Sequence, residues 1–507
     1  MKILVPKHPP NPRAPKLVGF DTELMNVDPA IDDSGASAAR ALLREVPGLP
    51  ANNGVYCEQD CGRLFLPGNG ASVYIDLHHL ELAGPECRDA RTFVAQFHGM
   101  LGVAREAARQ ANDGRATPLR VHANNSDGRG NSWGGHLSVL VSRTAFDWIF
   151  RQRLHCLQWL ASAQASSIVL TGAGKAGAEN GRPSLPYQIS QRADYFHCLS
   201  SIDTTRMRPL VNTRDEQLAG PHFARLHCIF HDTTLCHTAV LLRAGLMQVF
   251  LAMIEAQQAD YALCFEEPLA AVQDFSADPG LRATARLLDG RRVTAVEHQC
   301  LLLEKAATMA DAEGEQQVPG LRDLLDTWGR MLEAFRRDDR AFLARHLDWV
   351  AKQMVLERAA TARGLDLSSP AMLALDFAWS DLEQGIYFSL EKAGAVERLA
   401  SPEQVAQAAA EAPADTRAYP RSRLIRAFGG RLRTRIDWDH MVVARQAGKR
   451  LVVHLPDPGA GRQVHGDLDS LGDLELVQKL GVVAEEDAWR WSYAPQVVTS
   501  HWQGAYP

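Results

Sequence analysis

Hydrophobic and polar positions alternate with a period of two in KLVGFDTELMNV (16–27), the pattern of a strand with one buried face. SGASAARALLREV (34–46) shifts to a helical period, and SVYIDLHHLELA (72–83) reads as a strand after the turn signal PGNG. The chain thus opens β-α-β. The pattern predicts a helix over 89–112, a strand near 118–123, a Gly/Asn loop over 124–136 and a strand leading into a helix over 137–162. Further strands are expected in YQISQRADYFHCL (187–199) and RLHCIFHDTT (225–234), followed by a long helical stretch from about 238 to 258. After residue 300 helices dominate, and the 3.6-residue periodicity of 320–363, with charges outward, predicts a helical layer covering a sheet. Pro and Gly bracket a basic helix in EAPADTRAYPRSRLIRAFGG (411–430), and strand-like and loop sequence follows. These shifts divide the chain into a flexible Pro-rich arm (1–16), a large domain (17–428) and a small C-terminal domain (429–507).

Composition narrows the function classes. A chain of 507 residues, 46% hydrophobic, can bury a large core. Its formal net charge of -6 gives no footprint for nucleic acid, and no apolar run approaches the ~20 residues that span a bilayer. MKILVPKHPPNPRAPK is basic and proline-rich without an apolar core, so a cytoplasmic protein is expected. Nine scattered cysteines do not form a secreted disulfide framework. Cys57 and Cys61 make one CxxxC pair with no second pair at zinc-ribbon distance, which reads as two thiols rather than a zinc site.

The candidate chemistry is acidic. Asp21 and Glu23 are two residues apart on a strand and share a face; Tyr74 and Asp76 repeat the device, with Glu81 and Glu86 following. Two acidic strands side by side suit a hard divalent cation such as Mg²⁺, the alternative being an exposed sheet face of solvated acids. Arg192, Arg214, Arg225 and His227 stand near strand ends, and guanidinium forks match phosphate oxygens, so the combination suits nucleotide-driven phosphoryl transfer. No GxxxxGK[ST] loop occurs, and TGAGKAG (171–177) has the wrong spacing for one.

The ordered series GFDTEL, VYIDLHHLELAGPEC, NNSDGRGNSWGGH, QISQRADY, VNTRDE, RLH, DFAWSDLEQGIY and DTRAYPR resembles the Pup ligase and depupylase family, relatives of glutamine synthetase, over roughly 17–440. The resemblance implies an α+β fold, a curved antiparallel sheet cradling ATP and magnesium, packed on helices, with a small C-terminal domain. It implies Asp21, Tyr74 and Glu81 as magnesium ligands beside Glu23, Asp76 as the catalytic aspartate and Trp438 as a nucleotide contact. In the family's ligases a glutamate γ-carboxylate attacks ATP to give an acyl phosphate, which a lysine amine captures with an aspartate as general base. In its depupylases the matching aspartate acts on the amide or isopeptide bond. The partners implied are ATP and a small protein modifier with its lysine-bearing acceptor.

Departures from the family pattern bear on which member this resembles. Asp21 replaces a glutamate, Ser72 an ATP-contacting arginine, Gly84 a threonine, Leu137 a carboxylate, Ser138 an asparagine and His237 a glutamate. Residues 24–72 are too short for the long loop typical of depupylases, whereas the Asp76 to Glu81 spacing matches depupylases. The expectation is an ATP-dependent carboxylate–amine ligase, with a depupylase-like amide hydrolase or an inactive ATP-binding scaffold as alternatives.

Overall fold

The computed structural model describes residues 13–31, 35–52, 62–216, 218–431, 434–446 and 449–486. Cys57 and Cys61 lie outside them; the seven cysteines described are all free thiols.

The main sheet is antiparallel and has eight strands: β1 (Val18–Val27), β2 (Leu49–Pro50), β3 (Leu64–Phe65), β4 (Ser72–Asp76), β5 (His79–Ala83), β6 (Arg120–His122), β7 (Gly135–Ser142) and β8 (Phe223–Cys228). Their order is β8-β7-β1-β5-β4-β3-β2, and β6 pairs with the end of β1. Alternation in β1 sends Val18, Phe20, Thr22 and Leu24 to a buried face, where Leu80, Leu82, Leu137, Val139 and Leu226 join them.

The run 72–83 is a hairpin rather than one strand. It reverses at Leu77 and His78, with Asp76 opposite His79. The stretch 187–199 also departs from expectation, since strand pairing is confined to Tyr187–Gln188 and Cys198–Ser201, with a 3₁₀ turn between.

Helices back the buried face. α1 (Ala36–Glu45) packs on α2 (Ala90–Ala111), whose N-cap Asp89 accepts from the Thr92 amide at 2.8 Å. α3 (Leu154–Thr171) and α4 (His237–Glu255) are buried along nearly their whole length. At 19 residues and a mean hydropathy of 1.5, α4 is an apolar run of membrane-spanning length, against expectation, but every residue of it is inside the fold. The charged helices of 320–363, α5 (Leu321–Arg336) and α6 (Asp348–Arg363), form an outer layer; α5 packs on α4 and on Ala295–Ala307 rather than on the sheet.

A second, smaller core joins Tyr419, Leu424, Ile425 and Phe428 of α7 (Ala418–Phe428) to Met441, Val453, Leu455, Leu468 and Leu476, and takes in Phe65 of β3 and Ala51 just after β2. It runs across the boundary expected at 428. Lys16, expected in the flexible arm, is fully buried, with Nζ 2.8 Å from Glu255.

Candidate active site

The two acidic stretches meet on one face of the sheet. β1 and β5 place Glu23 opposite Glu81 and Asp21 opposite Ala83; the β4–β5 hairpin places Tyr74 opposite Glu81 and Ser72 opposite Ala83. With a period of two, Asp21, Glu23, Glu81, Tyr74 and Asp76 share that face. Across β1, His136 lies opposite Asp21, and His227 of β8 lies opposite Ser138. Ser138 Oγ donates to Asp21 at 3.4 Å and accepts from Arg225 at 3.3 Å. Tyr74 faces Glu81 from the paired strand, and burial together with the Glu81 and Asp21 charges holds its hydroxyl well above the usual phenol range.

This row is short of countercharge. Burial pushes the Asp21 carboxyl up, with Arg225 and Arg63 working against it. Burial also raises Glu23 to about 7, relieved by Arg192 and aggravated by Asp76. Glu81 lies well above the carboxylate range because burial is compounded by Glu23, Asp21 and Asp76. Among the described residues no Lys or Arg nitrogen lies within 4 Å of these three; His136 Nε2 is 3.9 Å from Glu23, and burial keeps that ring neutral. A row of hard oxygen donors in this state fits a magnesium ion, which takes carboxylate oxygens readily.

Trp438 stands on the wall of the cleft that Asp21 lines at the end of the row, together with Gly84, Glu86, Ser138, Arg225 and Arg417. Its ring meets Phe65 edge-on at 5.5 Å and lies under the Arg421 guanidinium at 4.7 Å. Arg225 also binds Glu216 at 2.8 Å, and Arg214 approaches the same carboxylate at 3.8 Å while its charge acts on Asp21 and His227. His227 is buried and neutral, its Nδ1 without a hydrogen-bond partner. Asp76 is exposed near the tip of the hairpin, and no Lys or Arg nitrogen among the described residues comes within 4 Å of it. Leu77, His78 and His79 beside it line a second, larger cleft with the 124–133 loop and residues 175–179.

Two assignments made from the sequence change. Arg192, expected to contact the nucleotide, is 1% exposed and donates to the carbonyls of Trp133 and of Ile229, the latter at 2.9 Å. It props the wall, and its charge reaches Glu23 from behind. Glu86, grouped with the acidic strand, stands apart from the row on the cleft wall, held in an ion pair with Arg417 and Arg421, each at 2.7 Å. Lys175 of the glycine-rich loop is likewise engaged, by Asp194 at 2.7 Å and Glu179 at 3.1 Å. Arg63, His136 and Arg417 border the row or cleft without having been singled out. His136 had a signal, two residues before Ser138 on one strand; the two arginines arrive from other elements.

The departures from the family pattern fall in different places. Ser72 and Ser138 face the row, whereas Leu137 is in the core on the opposite face, so a carboxylate missing there leaves the row untouched. Gly84 is fixed by its neighbour, because a Cβ there would fall 2.1 Å from the Phe20 ring. His237 lies apart from the row in a group with His98 and Glu391. Its Nδ1 accepts the Leu399 and Ala400 amides, each at 3.2 Å, which puts its proton on Nε2, donated to Glu391 at 3.2 Å. A metal on that nitrogen would require an imidazolate, so the group is a hydrogen-bond relay.

Residues 19–442 match the protein-family model described as Pup-ligase protein. A relative from Mycolicibacterium smegmatis named Pup deamidase/depupylase is 34% identical over 422 residues, 81% of this chain and 82% of its own. Another from Kineococcus radiotolerans, named Pup--protein ligase, is 32% identical over 443 residues, 85% of this chain and 94% of its own. The crystal structure of the complex between the prokaryotic ubiquitin-like protein Pup and its ligase PafA superposes with a TM-score of 0.74 at 25% identity, covering 92% of this chain and 91% of that one. PafA in complex with ADP gives 0.68 at 26% identity, covering 82% and 89%. The fold is the expected glutamine-synthetase-like α+β arrangement, and the chain belongs to the Pup-ligase family.

Proposed function

We propose that this protein is an ATP- and magnesium-dependent ligase that joins the carboxylate of a small Pup-like modifier to a lysine amine as an isopeptide bond. The observation that carries the proposal is the buried row Asp21–Glu23–Glu81, short of countercharge, with Tyr74 on it and Asp76 at its open end. Asp21, Glu23, Glu81 and Tyr74 would hold Mg²⁺, and Arg214, Arg225, His227 and Trp438 would border the nucleotide. Bound Mg²⁺ supplies charge neutralisation for the phosphates. Asp76, exposed and without a basic partner among the described residues, takes the proton from the incoming ammonium, a task worth about 10²–10⁴-fold. The small unit after α7 contributes Trp438 to the cleft, and the division at 428 is proposed as a functional one. A cytoplasmic location is part of the proposal, and the free thiols of the seven described cysteines suit a reducing compartment.

The test is conjugation and ADP release with a glutamate-terminated Pup-like modifier and a lysine acceptor. Asp76→Asn is expected to lose conjugation and keep nucleotide binding; a fully active variant would remove Asp76 from the mechanism. A second reading, cleavage of the same bond, is favoured by the 34% identity to the depupylase relative. Release of modifier from a preformed conjugate, with no conjugation by the same preparation, would establish it. Nucleotide stabilisation with neither reaction would mark a binding scaffold.

A further inference from the structure

Arg63 precedes β3, and its side chain crosses the polar face of the sheet to the site. Its guanidinium donates to Ser72 Oγ at 3.3 Å and lies 3.6 Å from the centre of the Tyr74 ring. Its charge reaches the carboxyl of Asp21, the residue that Ser138 and Arg225 hold from the other side. Arg225 is engaged with Glu216 and Ser138, and Arg192 and Arg208 with backbone carbonyls, while Arg214 approaches Glu216 at 3.8 Å. Arg63 makes one hydrogen bond and no ion pair among the described residues, so most of its five donors are unspent. The register explains how it gets there. Asp21, Ala83 and Ser72 lie side by side across three strands, and the small, buried side chains at 83 and 72 put little bulk between the Asp21 carboxylate and the Arg63 guanidinium.

We propose that Arg63 is an anion-binding residue of this site, which takes phosphate oxygens of a nucleoside triphosphate from the side opposite Arg225. The inference rests on the reading of the row as a magnesium–nucleotide site, and it adds a residue that comes from a neighbouring hairpin. The ring of Tyr74 holds the guanidinium by a cation–π contact, so the tyrosine has two tasks, toward Glu81 and toward Arg63.

Calorimetric titration of the full chain with Mg·ATP, Mg·ADP and adenosine tests it. Arg63→Ala should weaken ATP and ADP roughly ten- to a hundredfold, the worth of a hydrogen bond to a charged group, and leave adenosine unchanged. Arg63→Lys should recover part of the loss. Equal weakening of adenosine and ATP would make Arg63 a structural support and overturn the proposal, as would an Arg63→Ala protein that binds ATP like the parent. A parent that binds no nucleotide would overturn the underlying reading and this inference with it.

Discussion

Glu81 sits where a carboxylate is least stable, buried opposite Glu23 with Asp21 and Asp76 nearby. A carboxyl whose value is raised on folding gives stability that is complete below its unfolded value and lost as pH rises through the folded one. For Glu23 that window runs from about 4.5 to about 7. Without a divalent cation the protein should therefore lose melting temperature as pH rises from about 4.5 to about 7. Glu81→Gln removes one of the crowded charges and should melt higher than the parent at pH 8 in chelator. It should also forfeit most of the gain from Mg·ATP, about 2.7 kcal/mol at a hundredfold excess over Kd. A variant protected by Mg·ATP as well as the parent would take Glu81 out of the site. The row itself was legible, because a period of two is enough to put Asp21 with Glu23 and Tyr74 with Asp76. Its arginine partners were not: Arg192 has the chemistry of a phosphate ligand and the burial of a wall residue, and sequence reports only the chemistry.

At the scale of elements, the β4–β5 hairpin shows why alternation alone misled. The run 72–83 alternates equally well as one strand or as two, and Leu77-His78 contains none of the usual turn formers. The sheet imposes the reversal, since Glu81 reaches Glu23 only if the chain returns beside β1. The cost appears at Leu77, which adopts φ 50° with its side chain 70% exposed. A left-handed Leu costs roughly 1–2 kcal/mol, and a glycine gives back about half of that through its greater freedom when unfolded. Leu77→Gly should therefore raise the urea midpoint by up to about 1 kcal/mol of stability. A loss of stability would mean that the Leu77 side chain contributes packing despite its exposure.

For the whole molecule, Glu86 is a clasp between the two cores. It follows β5, and both of its arginines belong to the entry of α7, where Arg421 also donates to the Trp438 carbonyl at 3.1 Å. Burial works against this carboxylate, but Arg421 and Arg417 outweigh it and bring Glu86 down to about 2. A lowered carboxyl contributes stability above its unfolded value that is lost as pH falls through the folded one, here from about 4.5 to about 2. Breaking such a buried pair costs about 3–5 kcal/mol, so Glu86→Gln should be destabilised by that order at pH 7 and should lose nucleotide affinity through Trp438. The gap between variant and parent should close as pH falls across that window; a gap independent of pH would place the cost in packing instead. None of this was visible in sequence, where more than 300 residues separate the partners.

The interior helix α4 carries a further consequence, for the chain before it is folded. A 19-residue segment of mean hydropathy 1.5 is harmless only while the sheet and its neighbouring helices enclose it. It is synthesised about 65 residues before α5, the later helix that packs on it, so the emerging chain presents a sticky, lipid-like surface for seconds. Refolding from denaturant should accordingly suffer from clumping at micromolar concentration and improve on dilution, and inactivation on heating should follow the rate at which that helix is uncovered, giving an apparent melting temperature that rises with scan rate.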